Sequence, residues 1–502
     1  MADNKDSPAN TSGAYDRMAS AWQTISDILA GPATIRAAGT RYLPKYEKEG
    51  QKEYERRLAQ APWRPEFEDI LNTLSAKPFG KDVALGDKAS DAIKAFAEDV
   101  DSKGANLTAF ARPMFRAGVG KGMHAILVDH SGTGEARTMA EERQSGARPY
   151  WVSIRAEDIL ALYTAFVPAE GGAREVPVHV RLRECSVERD GFGETVVERV
   201  RILNREPIVG ASGKVIGYGE PTWTLQKKTK GSDGEKWMED GSGRFAPLTE
   251  IPLALFWTGE REGSHFVRAP LAALADMQIE LFRTLSRKDE VLTYAGSPML
   301  QAKGLAPPAE GEAELTIGPK TVLYAPSNSE GGDTGYEYIQ PDAANLKEIR
   351  EDAQQLIEDI RRLGMQPLAR GSGTESATRA AIEGAKAHSV VEAWALGLKD
   401  VLEQAFVFTC RWLREEPTVE VEVDTDFSVE PFAQAPLDAL AKARAAKDIS
   451  QRTYWSSLRR FDVLAPDFDA DAEEKALAEE TQGLEPEEPI DPITGQPLSA
   501  AA

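Results

Sequence analysis

The chain has 502 residues, of which 41% are hydrophobic and nine are tryptophan, and it carries a formal net charge of −22. This length predicts two to four domains, and the composition is typical of a folded protein. No apolar run reaches the roughly eighteen residues that a membrane span needs. A disulfide framework is excluded because Cys185 and Cys410 are the only cysteines, and a cysteine-based zinc site is very nearly excluded too.

The negative charge is concentrated near the C-terminus. Between Asp467 and Ala502 there are eleven acidic residues and one lysine, a net charge of −10, so the rest of the chain is only mildly acidic. No long Lys/Arg cluster is present, whereas a sequence-specific DNA-binding protein usually has a basic face. We therefore expect this protein not to bind nucleic acid tightly, because its negative charge repels the phosphate backbone and lets it slide past.

The first 117 residues are predicted to be largely helical. The polar start, MADNKDSPANTSGAYDR, lacks the apolar core of a signal peptide, so we expect a cytoplasmic protein unless it is carried out inside a particle. One or two short helices over 15–36, broken at Gly31-Pro32, precede helices over 49–60, 65–75, 91–101 and 107–117. Ser90 is a candidate N-cap for the helix over 91–101.

After Gly118 the pattern changes from helix to strand. The apolar run 125–128 predicts a buried strand, and RPYWVSIRAEDIL predicts a strand followed by a short helical turn. Gly118, Gly120 and Gly122 precede the first strand, whereas the glycines of a dinucleotide-binding loop follow one, so nucleotide binding is disfavoured. From 176 to 255, alternating strands and Gly-rich turns predict an antiparallel sheet with one solvated face, closed by the segment IPLALFW.

The stretch over 270–415 organises the rest of the chain. It is predicted to contain a helix ending near Leu292, an irregular insert to about Pro341, a helix over 346–363, the loop GMQPLARGSGT, and a long helix over 375–415. The helix over 346–363 has one apolar stripe, which needs a covering partner. The stripe consists of Leu346, Ile349, Ala353, Leu356, Ile360 and Leu363. Two alternatives stay open for what packs against this stripe: the chain's own core, or copies of the same helix in a ring.

The C-terminal part contains one strand, two helices and a tail. Strict alternation over 418–427 predicts a strand. The segment over 437–464 predicts two helices separated at Asp448 and Ile449, with Ser450 as a candidate N-cap of the second. The last residues are acidic, rich in proline and poor in apolar side chains, which is typical of a disordered tail.

No catalytic constellation stands out. The histidines are His124, His130, His179, His265 and His388, and none has a spacing that binds metal. His179 and His388 are interpreted as surface or packing residues. Ser212, in the turn GASGK, does not match a nucleophile elbow. The segment RGSGTES precedes a helix and an anion could dock there, but a flexible loop that caps the helix is the favoured interpretation.

Asp424 and Asp426 share one face of the predicted strand and could hold a metal. Acid-rich strands are common in a chain this acidic, so the pair is weak support for a metal site. From the residues alone, we expect a large, soluble, non-enzymatic α+β protein with an interaction role.

Six segments, in chain order, carry a resemblance to a known family. They are YLPKYEKEGQKEYERRL, NLTAFARPMFRAGVGKGMHAILVDH, RPYWVSIRAEDIL, IPLALFW with PLAALADMQIELFRTLSRKDEVLTYAGSPMLQAKGL, ESATRAAIEGAKAHSVVEAWALGLKDVLEQAF, and ISQRTYWSSLRRFDVLAPDFDADAEEKAL. Together they cover about residues 40–480. Their order resembles that of the portal protein, or head-to-tail connector, of tailed double-stranded DNA bacteriophages.

The resemblance implies an α+β portal fold assembled as a ring, with a wing, a helical stem, a small clip and a helical crown. It implies an N-terminal arm over 1–40, a wing over 41–265, and stem helices over 270–293 and 344–363. It further implies a clip over 294–343, a tunnel loop over 364–374, a long helix and strand of the wing over 375–427, and a crown over 428–480. The disordered acidic tail then covers 481–502.

The resemblance also assigns roles to particular residues. The stem interface between subunits would contain Leu346, Ile349, Leu356, Ile360 and Leu363. The tunnel loop and DNA channel would contain Arg361, Arg362, Gly364, Arg370, Gly371 and Gly373. Arg361, Arg362 and Arg370 either contact phosphate, or form salt bridges between subunits or supply a helix C-terminal charge. The docking surface for terminase and adaptor proteins would contain Glu310, Glu312, Glu314 and Asp333, since the clip has seven acidic residues against Lys303 and Lys320.

The partners implied are copies of the same chain, a dodecamer in the virion, with the terminase large subunit, head-tail adaptor proteins, and the major capsid and scaffolding proteins. Double-stranded DNA would pass without sequence specificity. No cofactor, metal, catalytic residue or membrane is expected. The protein would reside at one capsid vertex of the virion, after assembly in the host cytoplasm.

Two alternative functions stay open. One is a nucleic-acid-processing enzyme, or its scaffold subunit, of the same phage, in which paired acids such as Asp424 and Asp426 would carry activity. The other is a cytoplasmic adaptor of unrelated fold, which would stay monomeric or dimeric and would not explain the clip-like insert.

Overall fold

A computed structural model gives the fold. It describes residues 7–131, 147–169, 172–211, 213–231, 234–295, 299–303, 335–339, 344–364, 377–425, 434–446, 448–460, 468 and 472–475. The chain forms two compact units, over 1–427 and 428–502. Both contain helices, and the first also contains antiparallel sheets, so the predicted mixture of helix and sheet is confirmed.

The helices of the described residues follow the apolar periodicity of the sequence. They are α1 Gly13–Leu29, α2 Pro32–Ala37, α3 Gln51–Gln60, α4 Glu66–Ala76, α5 Asp91–Ala97, α6 Leu107–Lys121, α7 Ala272–Ala295, α8 Ala344–Gly364, α9 Ala377–Leu413, α10 Gln434–Ala445 and α11 Gln451–Arg460. Ser90 and Ser450 cap α5 and α11 as predicted, each accepting a hydrogen bond from the backbone three residues on.

The glycines after residue 117 end a helix rather than open a loop. Helix α6 continues past the predicted Ala117 and includes Gly118, where a Cβ atom would lie 2.5 Å from the Phe256 ring. Gly122 then takes the left-handed conformation, with φ at +89°, and ends the helix. These glycines therefore allow a helix to pack closely on a strand and to stop.

The strands of the described residues all pair antiparallel. They are β1 Ala84–Leu85, β2 Met123–His130, β3 Pro149–Arg155, β4 Ile159–Ala169, β5 Gly172–Asp190, β6 Gly193–Asn204, β7 Pro207–Val209, β8 Val215–Tyr218, β9 Thr222–Gly231, β10 Gly234–Arg244, β11 Leu253–Trp257, β12 Glu260–Glu262, β13 Phe266–Arg268, β14 Met299–Lys303, β15 Gly335–Ile339 and β16 Val421–Glu422. A five-stranded sheet has the order β10-β9-β6-β5-β4, and a three-stranded sheet has the order β11-β2-β3.

Two strand predictions were wrong in detail. The segment IPLALFW does not close the large sheet, because β11 pairs with β2 along Leu253↔Leu127 to Trp257↔Met123. The strand predicted over 418–427 is, within the described residues up to 425, only β16, which pairs with the unpredicted β1. Both errors concern pairing partners that are distant in sequence.

Two cores stabilise the first unit. The larger one lies among α4, α6, α7, α8 and α9, and its centre contains aromatic pairs such as Trp151–Phe406 and Phe115–Phe256, with ring centroids 4.8 and 5.6 Å apart. The smaller one joins α1 to the three-stranded sheet and to the base of the large sheet, around Trp22. Each fully buried aromatic side chain of this kind contributes about 2–3 kcal/mol by removal from water.

The second unit contains α10 and α11. Arg444, near the end of α10, contacts the first residue of α11: its Nε donates to Gln451 Oε1 at 3.0 Å. Trp455 of α11 is buried and packs edge-on against Phe468, with ring centroids 5.6 Å apart. Across the helices of the described part of the chain, none is both long enough and apolar enough to cross a membrane.

Candidate functional site: the paired helices and their insert

Helices α7 and α8 run in opposite directions, side by side. The chain leaves α7 through β14 and returns to α8 through β15, and these strands pair antiparallel from Met299↔Ile339 to Lys303↔Gly335. At the other end of the pair, α8 ends at Gly364, which packs closely against α4 and α7. A Cβ atom at this position would lie 2.7 Å from Ile70 and 3.0 Å from Leu274. The two predicted helices are thus observed, and the described residues between them form the strands β14 and β15. Residues 304–334 of the predicted insert lie outside the described residues.

A buried glutamine fixes α7 against the start of α4. Gln278 is fully buried, its Oε1 accepts from the Phe67 backbone N–H at 3.1 Å, and its Nε2 donates to the Arg64 carbonyl at 2.7 Å. It thereby satisfies one of the backbone N–H groups that a helix N-terminus leaves without partners. The sequence analysis missed this residue, although a glutamine on the apolar face of a helix was a visible signal.

A charged pair fixes α8 against the same helix. Arg361 Nε donates to Glu66 Oε2 at 2.8 Å and its Nη2 donates to Oε1 at 3.2 Å, so the two side chains meet in a bidentate pair. Glu66 is buried and lies in the first turn of α4, where a negative charge is favourable. Arg361 is therefore committed to its own chain in this structure.

The chain's own core covers part of the apolar stripe of α8. The stripe residues Ala353 and Ile360 are 4% and 0% exposed and belong to the larger core, as does the neighbouring Ile357, which is 3% exposed. Of the two alternatives raised by the sequence, packing on the chain's own domain is therefore what the structure shows for these residues.

The predicted subunit-interface residues are distributed around that covered face. Ile360 lies wholly inside the core, Ile349 and Leu356 are partly buried, and Leu363 is half exposed at the C-terminal end of α8. The side chain of Leu346 lies outside the described residues. The opposite face of α8 is exposed and carries both signs of charge, including Lys347, which pairs with Glu351 at 3.7 Å.

The predicted channel residues are described only in part. Arg362 pairs with Asp359, three residues earlier, at 2.9 Å, and two thirds of its side chain is exposed. The close packing at Gly364 favours glycine there. Arg370, Gly371 and Gly373 of the predicted tunnel loop lie outside the described residues, as do Glu310, Glu312, Glu314 and Asp333 of the predicted docking surface.

Two histidines have environments that the sequence did not reveal. His124 and His265 are 1% and 2% exposed, and burial lowers the pKa of each from 6.5 to about 4. Nε2 of His124 lies 2.8 Å from the Ser153 hydroxyl, and Nδ1 of His265 lies 3.0 Å from the Ser12 hydroxyl. Both imidazoles are therefore neutral at pH 7, and they serve as buried structural groups.

The remaining candidate chemistry is sparse. His179 shares a hydrogen bond with Asn204, 3.0 Å away, on the large sheet. In the described ranges, no three His, Cys, Asp or Glu side chains are grouped so as to hold a metal ion. Asp426, Ser212 and the side chain of His388 lie outside those ranges. Cys185 and Cys410 are both free thiols.

Comparison with known proteins gives one family match. A family described as "Domain of unknown function (DUF4055)" matches residues 270–413, which contain α7, the insert, α8 and α9. No curated protein matches the chain.

Several solved structures resemble the chain weakly. One is described as "Neck of empty GTA particle computed with C6 symmetry", with 11% identity and a TM-score of 0.41, over 80% of this chain and 91% of that one. A second, "Neck of native GTA particle computed with C12 symmetry", has 12% identity and a TM-score of 0.39, over 79% and 89%. A third, "Virion of native gene transfer agent (GTA) particle", has 10% identity and a TM-score of 0.38, over 86% and 99%.

Proposed function

We propose that this chain is a portal-type structural protein, copies of which form a ring at one capsid vertex of a tailed phage or related particle. The observation that carries the proposal is the antiparallel pair α7–α8, which supports a long insert on the strands β14 and β15. This order of helix, paired strands and helix supports the stem and clip that the sequence resemblance implies. The six motifs in portal order support the same assignment.

In this proposal the ring is a channel for packaging and ejecting DNA. The exposed face of α8 has both positive and negative side chains, including Lys347 and Glu351, which suits polar contacts between copies or with water. The chain as a whole is acidic, with a net charge of −22, so a DNA backbone would slide past it. Rings of this kind are built from heterologous interfaces that close.

The insert is the proposed docking platform for the terminase and, later, the adaptor proteins. Its sequence over 294–343 has seven acidic residues against two lysines, which favours a basic protein partner over DNA. We further propose that the chain performs no catalysis and that the motor's ATP hydrolysis belongs to a partner. The dodecameric state, the capsid and scaffolding contacts, and assembly in the host cytoplasm are parts of the same proposal.

The mass of the purified full-length chain, measured by light scattering together with negative-stain images, tests the ring. We expect particles of about a dozen copies with a central hole, formed either alone or when the chain is coexpressed with its scaffolding and major capsid proteins. A chain that stays monomeric or dimeric under both conditions would contradict the proposal.

A deletion separates the ring from the docking role. Lys303 and Gly335 are the last paired residues of β14 and β15, so a two-residue Asn-Gly turn can replace 304–334 and keep the base of the insert. We expect the shortened chain to form rings of unchanged copy number and to lose terminase binding in a pull-down. Retention of terminase binding would place the docking surface elsewhere.

A further inference from the structure

Part of the large sheet continues as a two-stranded arm. Strand β4 pairs with β5 only up to Leu182, and β9 pairs with β6 only from Arg199 onward. Over 183–198, hereafter the arm, β5 and β6 pair with each other and with no further strand of the described residues. An isolated pair of strands has little stability of its own in water, so the arm would gain from contact with another surface.

The end of the arm is apolar. Val187 and Val196 lie directly opposite each other across the two strands, and both side chains are more than half exposed. Phe192, in the turn between the strands, is fully exposed. Single exposed apolar side chains are common on proteins, but these three lie together, hereafter as the arm tip, and such a group indicates a contact surface.

A second exposed apolar group involves the edge strand of the same sheet. Strand β4 lies at the edge and has no charged residue over its whole length, although long uncharged edges are pairing sites unless something covers them. The hairpin of β7 and β8 is next to it, since β8 runs beside β4. The exposed apolar side chains of β4 and this hairpin, hereafter the β4–β8 surface, are Tyr163, Phe166, Ile208, Val209, Val215 and Ile216.

The two groups are too far apart to meet within one chain. Phe166 pairs with Glu175 near the start of β5, whereas the arm tip surrounds the turn that follows Asp190 at its end. Glu175 and Asp190 are 15 residues apart on this one strand, which corresponds to about 50 Å at the usual rise of about 3.3 Å per residue. A contact between the groups therefore needs two copies in head-to-tail order, which is a heterologous interface.

The charges near the two groups are complementary. Residues 188–194, around the arm tip, include three acidic residues and one arginine, whereas 207–218, the β7–β8 hairpin, have Lys214 as their single charged residue. Glu194 and Lys214 are both exposed, and neither forms an ion pair with another described residue. Most surfaces of two copies should repel each other, because the net charge of the chain is −22, but an acidic tip and an acid-free surface with one lysine should attract.

We propose that the arm tip of one copy packs on the β4–β8 surface of the next copy. The proposal rests on the proposed function, because it places this contact between neighbouring subunits of the ring. Phe192 packs against the apolar side chains of the surface, and Glu194 pairs with Lys214. Each copy gives its arm to one neighbour and receives the arm of the other, so the contact repeats around the ring.

Cross-linking between introduced cysteines tests the contact. Cys185→Ser removes the exposed native thiol, Cys410 is buried, and Phe192→Cys and Ile216→Cys are then combined in one full-length chain. A short bismaleimide cannot bridge these two positions within a chain, since about 50 Å separates them. We expect a ladder of covalent oligomers on a denaturing gel from the double variant and no ladder from either single variant. Cross-linked dimers of the Ile216→Cys variant alone would overturn the head-to-tail pairing.

Light scattering of the same preparations separates this contact from the proposed function. The protein is prepared alone and together with its scaffolding and major capsid proteins. Rings without a covalent ladder would overturn the contact and leave the portal assignment standing. A ladder without rings would support the contact and contradict the ring. The absence of both would overturn both, since the contact exists only between copies.

A substitution and a matched control measure the strength of the contact. Phe192→Ser should raise the protein concentration needed for half assembly by roughly tenfold or more, because burial of a side chain of this size contributes at least one tenfold step. Met238→Ser changes a side chain on β10 that is 60% exposed and belongs to neither group, so it should leave that concentration unchanged. Equal effects of the two substitutions would contradict the contact.

A pair of charge reversals tests the ion pair. Lys214→Glu should weaken assembly, because it places an acid opposite the acidic arm tip. Adding Glu194→Lys to the same chain should restore part of the assembly, because the two charges are then exchanged rather than alike. A double variant that assembles no better than Lys214→Glu alone would refute the pairing of these two residues.

Discussion

Mild acid should destabilise this chain through two buried histidines. His124 and His265 are almost completely buried, and Nδ1 of the first and Nε2 of the second have no hydrogen-bond partner. Burial lowers the pKa of both from 6.5 to about 4. Around His124, Lys121 and Arg155 lower the pKa further, and Glu157 opposes them. Unfolding releases both imidazoles into water, where they take up protons readily.

The sign of the effect follows from the two pKa values. Because the folded-state pKa lies below the unfolded-state value, the unfolded chain binds the proton first as the pH falls. The contribution of the neutral imidazoles to the free energy of unfolding is fully present above about pH 6.5 and is lost as the pH falls toward 4. At about 1.4 kcal/mol per pKa unit, each histidine removes roughly 2 kcal/mol by pH 5 and roughly 3 kcal/mol by pH 4.

Urea unfolding followed by tryptophan fluorescence between pH 7.5 and 4.5 measures this loss. His124→Gln and His265→Gln replace the titrating ring with a neutral polar group, so each should reduce the pH dependence between 6.5 and 4.5 even if it lowers stability at pH 7. His179→Gln, a partly exposed histidine on the large sheet, is the control. If both buried variants kept the wild-type slope of unfolding free energy against pH, the reasoning would be refuted.

Three further predictions concern the centre of the larger core and the packing around the helix pair. Trp151→Ala should cost about 3–5 kcal/mol of unfolding free energy, because this fully buried ring fills the centre of the larger core, and Trp151→Phe should cost distinctly less; urea denaturation measures both. Gly364→Ala should cost about 1–3 kcal/mol, since the added methyl group would lie 2.7 Å from Ile70, and a cost near zero would refute the close packing. Arg361→Gln should cost about 1–3 kcal/mol by leaving Glu66 buried without its partner, and adding Glu66→Gln should restore part of the loss in a double-mutant cycle.

Elements governed by local periodicity could be predicted from the sequence. The helix predicted over 346–363 is observed as Ala344–Gly364, since its polar and apolar residues alternate with the period of an α-helix along its whole length. The antiparallel strands predicted from 176 onward are observed for a similar reason, because residues alternate along β5 and β6 on either side of the turn ERDGFG.

Properties that depend on distant partners could not be predicted in this way. The apolar stripe of α8 shows that a cover is needed, but only the fold shows that the core of the same chain buries Ala353 and Ile360. The pairing of β11 with β2 joins residues more than 120 positions apart, and no local pattern encodes it. Arg174, Glu250 and Arg411 come from three separate segments, so their convergence is visible only in three dimensions.

The central proposal is that copies of this chain form a ring with the pair α7–α8 as its stem. An electron cryomicroscopy reconstruction of the assembled full-length protein tests it most directly. The account predicts a closed ring in which this pair surrounds the central hole and the insert between β14 and β15 projects from one end. A ring with α7 and α8 on its outer surface, or a map of a single chain from protein coexpressed with its capsid partners, would contradict it.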